Sequence, residues 1–140
     1  MKNLILIISV FLFVSCSNDD DAATPRQQIT GTWTLAEAKV GTGAPGKWEP
    51  VSEGYSYTFG SDGTFSSDRF SGCTAGTYVL SEDTLVLEYD CEGFTTGMEE
   101  PEGTFSESIS FEGGKMILTP TYMGCIEGCS YKFEKTGEVE

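Results

Sequence analysis

Phe59-Gly60-Ser61-Asp62-Gly63-Thr64-Phe65 predicts a β-hairpin, and the chain on either side of it repeats the pattern. A three-residue loop with its glycine in the left-handed conformation places the two phenylalanines directly opposite each other. Two similar connections follow. Ser81–Thr84 predicts a tight turn, and Glu112–Lys115, with its two central glycines, predicts a two-residue loop. These turns indicate an antiparallel, all-β fold.

Eight short runs rich in Tyr, Phe, Val, Ile and Thr alternate with turns of Gly, Ser and Asp, which is the pattern of β-strands. No amphipathic helical segment of useful length interrupts them. Eight strands joined in sequence indicate an up-and-down antiparallel β-barrel, with a β-sandwich as the alternative. The predicted strands are Thr32–Val40, Tyr55–Phe59, Thr64–Phe70, Thr77–Leu80, Thr84–Asp90, Thr104–Phe111, Lys115–Thr119 and Ser130–Lys135.

The connections between these strands fall into two groups. The three tight turns join the second strand to the third, the fourth to the fifth and the sixth to the seventh, so an up-and-down order places them at one closed end. The remaining connections are longer and lie at the opposite, long-loop end. They are Gly41–Gly54, Ser71–Gly76, Cys91–Gly103 and Pro120–Cys129. Loops carried on a rigid scaffold are where function tends to lie.

Alternation along the strands predicts an interior of aromatic and aliphatic side chains. The inward set is Trp33, Leu35, Tyr57, Phe59, Phe65, Tyr78, Leu85, Leu87, Tyr89, Phe105, Ile109, Phe111, Met116, Leu118, Tyr131 and Phe133. Arg69 and Glu107 share this parity, although an inward charge is costly unless it is paired or solvated. Two interpretations stay open. In the first, the two charges lie at the solvated mouth of the barrel or pair with each other. In the second, they line a pocket and orient the polar group of a ligand.

Small eight-stranded barrels are either filled by side chains or hold one small ligand. The candidate ligand-binding residues are Trp33, Trp48, Tyr57, Arg69, Tyr89 and Glu107. Four loop side chains are candidates for an apolar lid, namely Trp48, Phe94, Met98 and Tyr122. The alternative is that they pack on the domain itself.

The domain contains four cysteines, Cys73, Cys91, Cys125 and Cys129, and an even number in an exported protein indicates two disulfides. Three pairings are possible, and the sequence does not choose among them. A Cys73–Cys91 bond conflicts with the apolar match of the hairpin unless a bulge near Gly76 reconciles the two. A zinc site made of all four cysteines is the alternative, disfavoured because paired Cys-x-x-Cys knuckles are absent. We expect neither a metal nor a cofactor.

The N-terminus has the features of a secretory signal. Lys2 precedes an apolar run, Leu4–Val14, that is too short for a good membrane-spanning helix and ends just before Cys16. The segment resembles the lipobox of bacterial lipoproteins, which implies cleavage after residue 15 and lipidation of Cys16. Ordinary cleavage with Cys16 as a spare thiol is the alternative. The acidic run Asp19–Asp21 resembles a surface-export signal. We therefore expect a signal peptide at 1–15, a lipidated acidic tether at 16–27, a barrel domain at 28–140 and an outer-membrane location, with surface exposure.

Composition narrows the classes of function. The net charge of −14 disfavours nucleic acid and anionic lipid as partners. The sequence contains no histidine, which removes Ser/His/Asp and Cys/His nucleophilic catalysis. Carboxylates are plentiful, but no pair stands out as it would in a glycosidase. The chain is therefore expected not to be an enzyme, and it is expected to be a monomer.

Gly31-Thr32-Trp33 opens the first predicted strand, and Lys132 and Lys135 lie on the last. This arrangement resembles lipocalins, in which a Gly-x-Trp tryptophan closes the bottom of the barrel beneath a basic residue of the last strand. With Tyr57–Phe65 and Tyr131–Lys135, the chain resembles the lipocalin-like domains of Bacteroidetes lipoproteins over Ile29–Lys135. The resemblance implies binding of a small apolar or amphipathic ligand at the long-loop end. The alternative is a protein-interaction or protease-inhibitor module with a filled core, which uses its disulfide-stapled loops.

Overall fold

A short helix and nine β-strands make up the described part of the protein. The computed structural model describes residues 25–41, 46–124 and 129–139. The elements are α1 (Pro25–Ile29), β1 (Gly31–Val40), β2 (Trp48–Pro50), β3 (Ser56–Phe59), β4 (Thr64–Ser67), β5 (Ala75–Ser81), β6 (Thr84–Tyr89), β7 (Thr104–Glu112), β8 (Lys115–Pro120) and β9 (Cys129–Gly137). Within those ranges, no helix has the length and apolar character needed to cross a bilayer. The predicted signal peptide and Cys16 lie outside the described residues, and α1 begins inside the segment assigned to the tether.

The barrel closes because β1 pairs with both β3 and β9. Trp33 lies opposite Tyr57 on one side of β1, and Leu35 lies opposite Phe133 on the other. Every strand from β3 to β9 is antiparallel to its neighbour in sequence order. The eight-stranded up-and-down barrel is therefore confirmed, and the closure excludes the sandwich alternative.

The strand β2 is an element that the sequence analysis did not predict. Trp48 lies opposite Lys39 and Pro50 lies opposite Glu37, so β2 occupies the edge of β1 beyond the part that pairs with β3. Three residues ending in proline carry no recognisable alternation. They form a strand because β1 continues past β3 and offers unpaired backbone groups.

The register predicted for the hairpin between Phe59 and Phe65 is confirmed. Phe59 lies opposite Phe65, and Gly63 adopts a φ of 89°, as the three-residue loop requires. Tyr78 faces Leu87 in the β5–β6 pair. Gly76 leaves no room for a side chain against β6, since a Cβ atom there would lie 2.0 Å from the carbonyl oxygen of Glu88.

The inward face of the strands forms the core, as alternation predicted. Most of the predicted inward side chains are buried, and Phe111 and Tyr131 are partly buried against them. Burying an aromatic side chain contributes about 2–3 kcal/mol each, so this face dominates the stability of the domain. Of the two charged residues with the same parity, Glu107 is buried and Arg69 is partly buried, which makes them the exceptions to explain.

The helix α1 seals the closed end of the barrel. Ile29, at the end of the helix, is fully buried, and its carbonyl accepts a hydrogen bond of 2.7 Å from the indole Nε1 of Trp33. Lys135 Nζ lies 5.9 Å from the centroid of the Trp33 ring. Of the two lysines offered by the sequence, Lys135 therefore covers the tryptophan.

Candidate functional site

The loop after β4 bends inward and delivers Arg69 into the barrel. Ser67 and Asp68 shape this bend. Ser67 Oγ accepts a hydrogen bond of 3.1 Å from the backbone N–H of Arg69. Asp68 Oδ1 accepts one of 2.5 Å from the backbone N–H of Ser56 on β3. The predicted strand Thr64–Phe70 therefore ends earlier, at Ser67, because side-chain acceptors replace the ladder there.

Arg69 is held by hydroxyl groups and one carboxylate. Its Nη1 donates a 3.0 Å hydrogen bond to Tyr57 Oη, and its Nη2 donates a 2.9 Å bond to Tyr122 Oη. Nη1 also lies 3.5 Å from Glu107 Oε1, an ion pair. We call Tyr57, Arg69, Tyr89, Glu107 and Tyr122 the polar cluster. The cluster lies inside the barrel, toward its long-loop end.

Aromatic faces surround the guanidinium of Arg69. Its Cζ atom lies 4.9 Å from the centroid of Phe70, 5.4 Å from that of Tyr55 and 5.6 Å from that of Phe105. A weakly hydrated, delocalised cation is attracted to such faces, and the attraction strengthens where water is excluded. Arg69 is thus stabilised inside the barrel by rings as well as by oxygen atoms.

Glu107 is the most buried charged side chain of the described residues, with 1% of its surface exposed. Burial raises its pKa to about 7, and the nearby Arg69 only partly offsets that effect. Within the described part of the chain, Glu107 Oε2 is buried without a hydrogen-bond partner. The Tyr89 hydroxyl also lacks a partner in hydrogen-bonding geometry there, and burial raises its pKa, although the nearby Tyr57 and Ser67 hydroxyls partly offset that effect. Such groups destabilise a folded protein unless something pairs with them, so they mark a place for a ligand group or a water molecule.

Three partly buried rings lie on the long-loop side of the polar cluster, and one of them, Tyr122, is also a member of the cluster. Phe70, Phe94 and Tyr122, which we call the aromatic cover, belong to three different loops. The ring centroids of Phe70 and Phe94 are 5.3 Å apart, and those of Tyr122 and Phe105, which lies on the barrel wall, are 5.0 Å apart. Phe94 also lies 5.1 Å from Tyr89. An apolar molecule that enters from this end meets these rings first.

The structure brings together four of the six candidate ligand-binding residues and places the two tryptophans elsewhere. Trp33 lies at the closed end. Trp48 lies on β2, where the Lys132 ammonium is 4.0 Å from its ring centroid. Of the side chains offered as a lid, Phe94 and Tyr122 form the aromatic cover, whereas Met98 is 55% exposed.

The outer surface of β3, β4 and β5 carries two shallow grooves of about 350 and 390 Å³. Hydroxyl side chains line most of the smaller groove and a third of the larger one, and the two grooves share Thr58 and Ser66. Their described linings contain no member of the polar cluster. Charged groups, hydroxyl groups and aromatic rings lie together inside the barrel and not in these grooves.

Comparison with known proteins agrees with this architecture. The family model of the lipocalin-like domain matches residues 29–118. The chain belongs to the lipocalin-like domain family. Among solved structures, it is similar to a lipocalin-like protein from Bacteroides uniformis ATCC 8492, with 22% identity and a TM-score of 0.51. That match covers 78% of this chain and 99% of the other, and it supports the fold. No curated protein matches the sequence.

Sequence reasoning missed two aromatic neighbours of Arg69 in this lipocalin-like domain, Tyr55 and Phe70. Tyr55 has the same parity as Tyr57 and Phe59, so the alternation of β3, extended back by one step, would have found it. Phe70 lies beyond the end of β4, where parity no longer determines direction. It reaches the cluster through the bend after Ser67, which no strand pattern predicts.

The long loop that carries Phe94 is organised by a buried carboxylate that the sequence analysis did not single out. Glu99 accepts hydrogen bonds from the backbone N–H groups of Thr96 (2.8 Å), Gly103 (3.1 Å) and Met98 (3.3 Å) and from the Thr96 hydroxyl. Burial raises the pKa of Glu99, but the bonds from Thr96 and its neighbours outweigh burial and hold it well below its ordinary value. Glu99 therefore fixes the shape of a loop that would otherwise expose its backbone.

A disulfide ties the two loops that carry Phe70 and Phe94. Cys73 and Cys91 are bonded, with their Cα atoms 5.8 Å apart. No bulge near Gly76 is needed to reconcile this bond with the apolar match of the hairpin, because the ladder ends at Gly76–Tyr89 and both cysteines lie beyond it. The sulfur atoms of this pair are used by the bond, which contradicts the four-cysteine zinc alternative. Cys129 is also disulfide-bonded, and Cys125 lies outside the described residues.

Proposed function

We propose that this lipocalin-like domain binds a small amphipathic ligand at its long-loop end. The observation that carries the proposal is the presence of two unpaired polar atoms, Glu107 Oε2 and Tyr89 Oη, beneath the aromatic cover. An apolar body packs against rings, while one or two placed polar groups fix orientation, which is the usual composition of a ligand site. Under this proposal the barrel is a carrier or receptor for such a molecule and not an enzyme.

The contacts of Arg69 support a site that is already organised before a ligand arrives. Two tyrosine hydroxyls and Glu107 fix the guanidinium, and three rings surround it. Glu99 and the Cys73–Cys91 bond hold the loops above it. Binding to a preorganised site avoids the loss of loop and side-chain freedom that otherwise weakens affinity.

Removal of one hydroxyl group tests this proposal. Tyr89→Phe deletes an unpaired hydroxyl and keeps the ring, whereas Tyr78→Phe is the matched control. The Tyr78 hydroxyl donates to the Gly60 carbonyl at 2.7 Å near the closed end of the same barrel. Decanol, decanoate and decylammonium are suitable amphipathic probes. Native mass spectrometry would count bound probe, and isothermal titration would give the affinities of the purified wild-type and variant proteins.

We expect saturable binding of one or more of these probes. Loss of a hydrogen bond at the site would lower affinity in Tyr89→Phe by about fivefold to tenfold, and Tyr78→Phe would bind as the wild type does. Absence of binding by all three probes would contradict the proposal. So would equal affinities of the two variants, since the ligand would then not reach the polar cluster.

We also propose that the protein is a lipoprotein anchored to the outer membrane through Cys16. The support is the apolar run, the cysteine that follows it and the acidic Asp19–Asp21 segment. Expression of the full chain in bacteria with an alkyne-labelled palmitate tests it. Incorporation of label in the wild type and none in Cys16→Ser is expected. Equal labelling of the two chains, or no labelling of either, would contradict the anchor.

A protein-interaction module is the second candidate, and one observation favours it. The rings of the interior contact one another from Tyr57 to Phe65 and Tyr89 and on to Phe105, as in a filled core. In that case, the stapled loops would bind a protein partner, and no amphipathic probe would enter. The binding experiment above separates the two candidates.

A further inference from the structure

In the polar cluster, the donors of Arg69 are paired, whereas one acceptor of Glu107 is not. Both terminal nitrogens of Arg69 are engaged, one by Tyr57 and Glu107 and the other by Tyr122. The unpaired carboxylate oxygen is different, because Glu107 Oε2 is an acceptor that no described residue reaches. A ligand that fits this arrangement therefore needs to supply a donor more than it needs an acceptor.

The charge balance of the site selects among possible donors. Arg69 and Glu107 neutralise each other at 3.5 Å, so a ligand ammonium would be buried next to a guanidinium without a carboxylate of its own. Above its pKa of about 7, Glu107 is ionised and would repel a ligand carboxylate, in a chain whose net charge is already −14. A neutral hydroxyl avoids both costs, since it carries no charge into the interior.

A hydroxyl also matches the two unpaired atoms. Its proton can be donated to Glu107 Oε2, and its oxygen keeps acceptor capacity for a donor hydroxyl such as that of Tyr89, which is also unpaired. A hydrogen bond to an ionised carboxylate is stronger than one between neutral groups. The aromatic cover, with Phe94 against Tyr89 and Tyr122 against Phe105, then receives the hydrocarbon part of the same molecule.

We propose that the ligand of this barrel is a neutral amphipathic molecule that presents a hydroxyl group to Glu107, in preference to a fatty acid or a lipid amine. The inference rests on the proposed function and deepens it, because it names the chemical class that the same site takes.

Three probes of equal chain length and a carboxamide variant test the preference. Decanol, decanoate and decylammonium differ only in the polar group. Glu107→Gln retains the shape of the side chain. Because the amide oxygen is attracted to Arg69, the NH₂ group takes the position of Oε2, and a donor replaces the unpaired acceptor. Glu88→Gln removes a carboxylate from an exposed position on β6 and is the matched control. Affinities are measured by isothermal titration, and urea unfolding of each variant confirms that it is folded.

We expect the wild type to bind decanol about tenfold more tightly than decanoate or decylammonium, which is the contribution of one hydrogen bond to a charged group. Glu107→Gln should lose that preference and gain affinity for decanoate, whereas Glu88→Gln should behave as the wild type does. Decanoate or decylammonium binding as tightly as decanol in the wild type would overturn the inference and leave the proposed function standing. So would an unchanged preference in Glu107→Gln. Failure of all three probes would overturn the proposed function, and this inference with it.

Discussion

Arg69 Nη1 lies 3.5 Å from Glu107 Oε1 inside the barrel, and the second carboxylate oxygen of Glu107 is unpaired among the described residues. The ion pair therefore satisfies the arginine better than it satisfies the glutamate. Tyr57 and Tyr122 complete the arginine side of the pair. Buried pairs of this kind seldom increase stability, since the loss of hydration offsets the attraction, and they are often retained for another role.

Glu107 should make the domain less stable as the pH rises from 4.5 to about 7. Its pKa is raised from 4.5 to about 7 in the folded protein, so the folded state binds more protons than the unfolded state between those values. Its contribution is therefore greatest below 4.5 and is lost as the pH rises to about 7. Over this window the wild type should lose about 3 kcal/mol relative to Glu107→Gln.

Urea unfolding at a series of pH values measures this difference. Glu88→Gln is the control, because Glu88 is exposed on the outer face of β6. Parallel curves for the wild type and Glu107→Gln would show that Glu107 is not perturbed, and would contradict the description of the cluster.

Glu99 should have the opposite pH dependence. Its pKa lies well below its usual value of 4.5 in the folded protein, so its contribution is present above 4.5 and is lost as the pH falls toward the folded pKa. Glu99→Gln should lower the free energy of unfolding near neutral pH by about 2 kcal/mol, because charged hydrogen bonds in the loop are lost. Glu102→Gln, an exposed neighbour, should change it little. Hydrogen exchange of the Gly103 amide reports the same bond, and unchanged protection in Glu99→Gln would contradict the loop's dependence on Glu99.

The disulfide should stabilise the domain by restricting the unfolded chain. Cys73 and Cys91 are separated by 18 residues. A loop of that size predicts a loss of about 3 kcal/mol in the double variant Cys73→Ala/Cys91→Ala. Chemical unfolding measures the loss, and peptide mapping of the oxidised wild type checks the pairing. A Cys73 peptide linked to Cys125 or Cys129 would contradict the connectivity.

The closed end should depend on the packing of α1. Ile29→Ala should lower the free energy of unfolding by about 2–4 kcal/mol, because it deletes a fully buried side chain beside the Trp33 indole. The fluorescence of Trp33 should shift to longer wavelength as water reaches the ring. Gln28→Ala changes an exposed side chain of the same helix and is the control. Equal stability of the two variants would indicate that the helix does not seal the barrel.

The barrel and much of its register could be predicted because their determinants are local. Alternation fixed which side chains face inward, and glycine-containing turns fixed which residues lie opposite each other, as with Phe59 and Phe65. The charged pair Arg69 and Glu107 was also visible, since both residues fall on inward positions. Parity alone left open whether they meet each other or a ligand.

The rest of the site depends on loop geometry, which has no period. Phe70 and Tyr122 reach the cluster from segments that follow the ends of strands. Glu99 folds its loop through backbone hydrogen bonds that its neighbours in sequence supply, and a Glu followed directly by a second Glu gives no sign of that role. β2 forms because β1 is longer than its neighbour, a property of the whole sheet.

The carboxyl carbon of Glu107, followed by NMR in protein with isotope-labelled glutamate, tests the central claim most directly. The signal is assigned by its absence from Glu107→Gln and is titrated with pH in the presence and absence of saturating decanol. A hydroxyl that donates to Glu107 Oε2 stabilises the ionised form, so decanol should lower the pKa of Glu107 from about 7 and shift its signal. If decanol binds while the shift and the pKa of Glu107 stay unchanged, the ligand does not contact the polar cluster and the central claim is wrong.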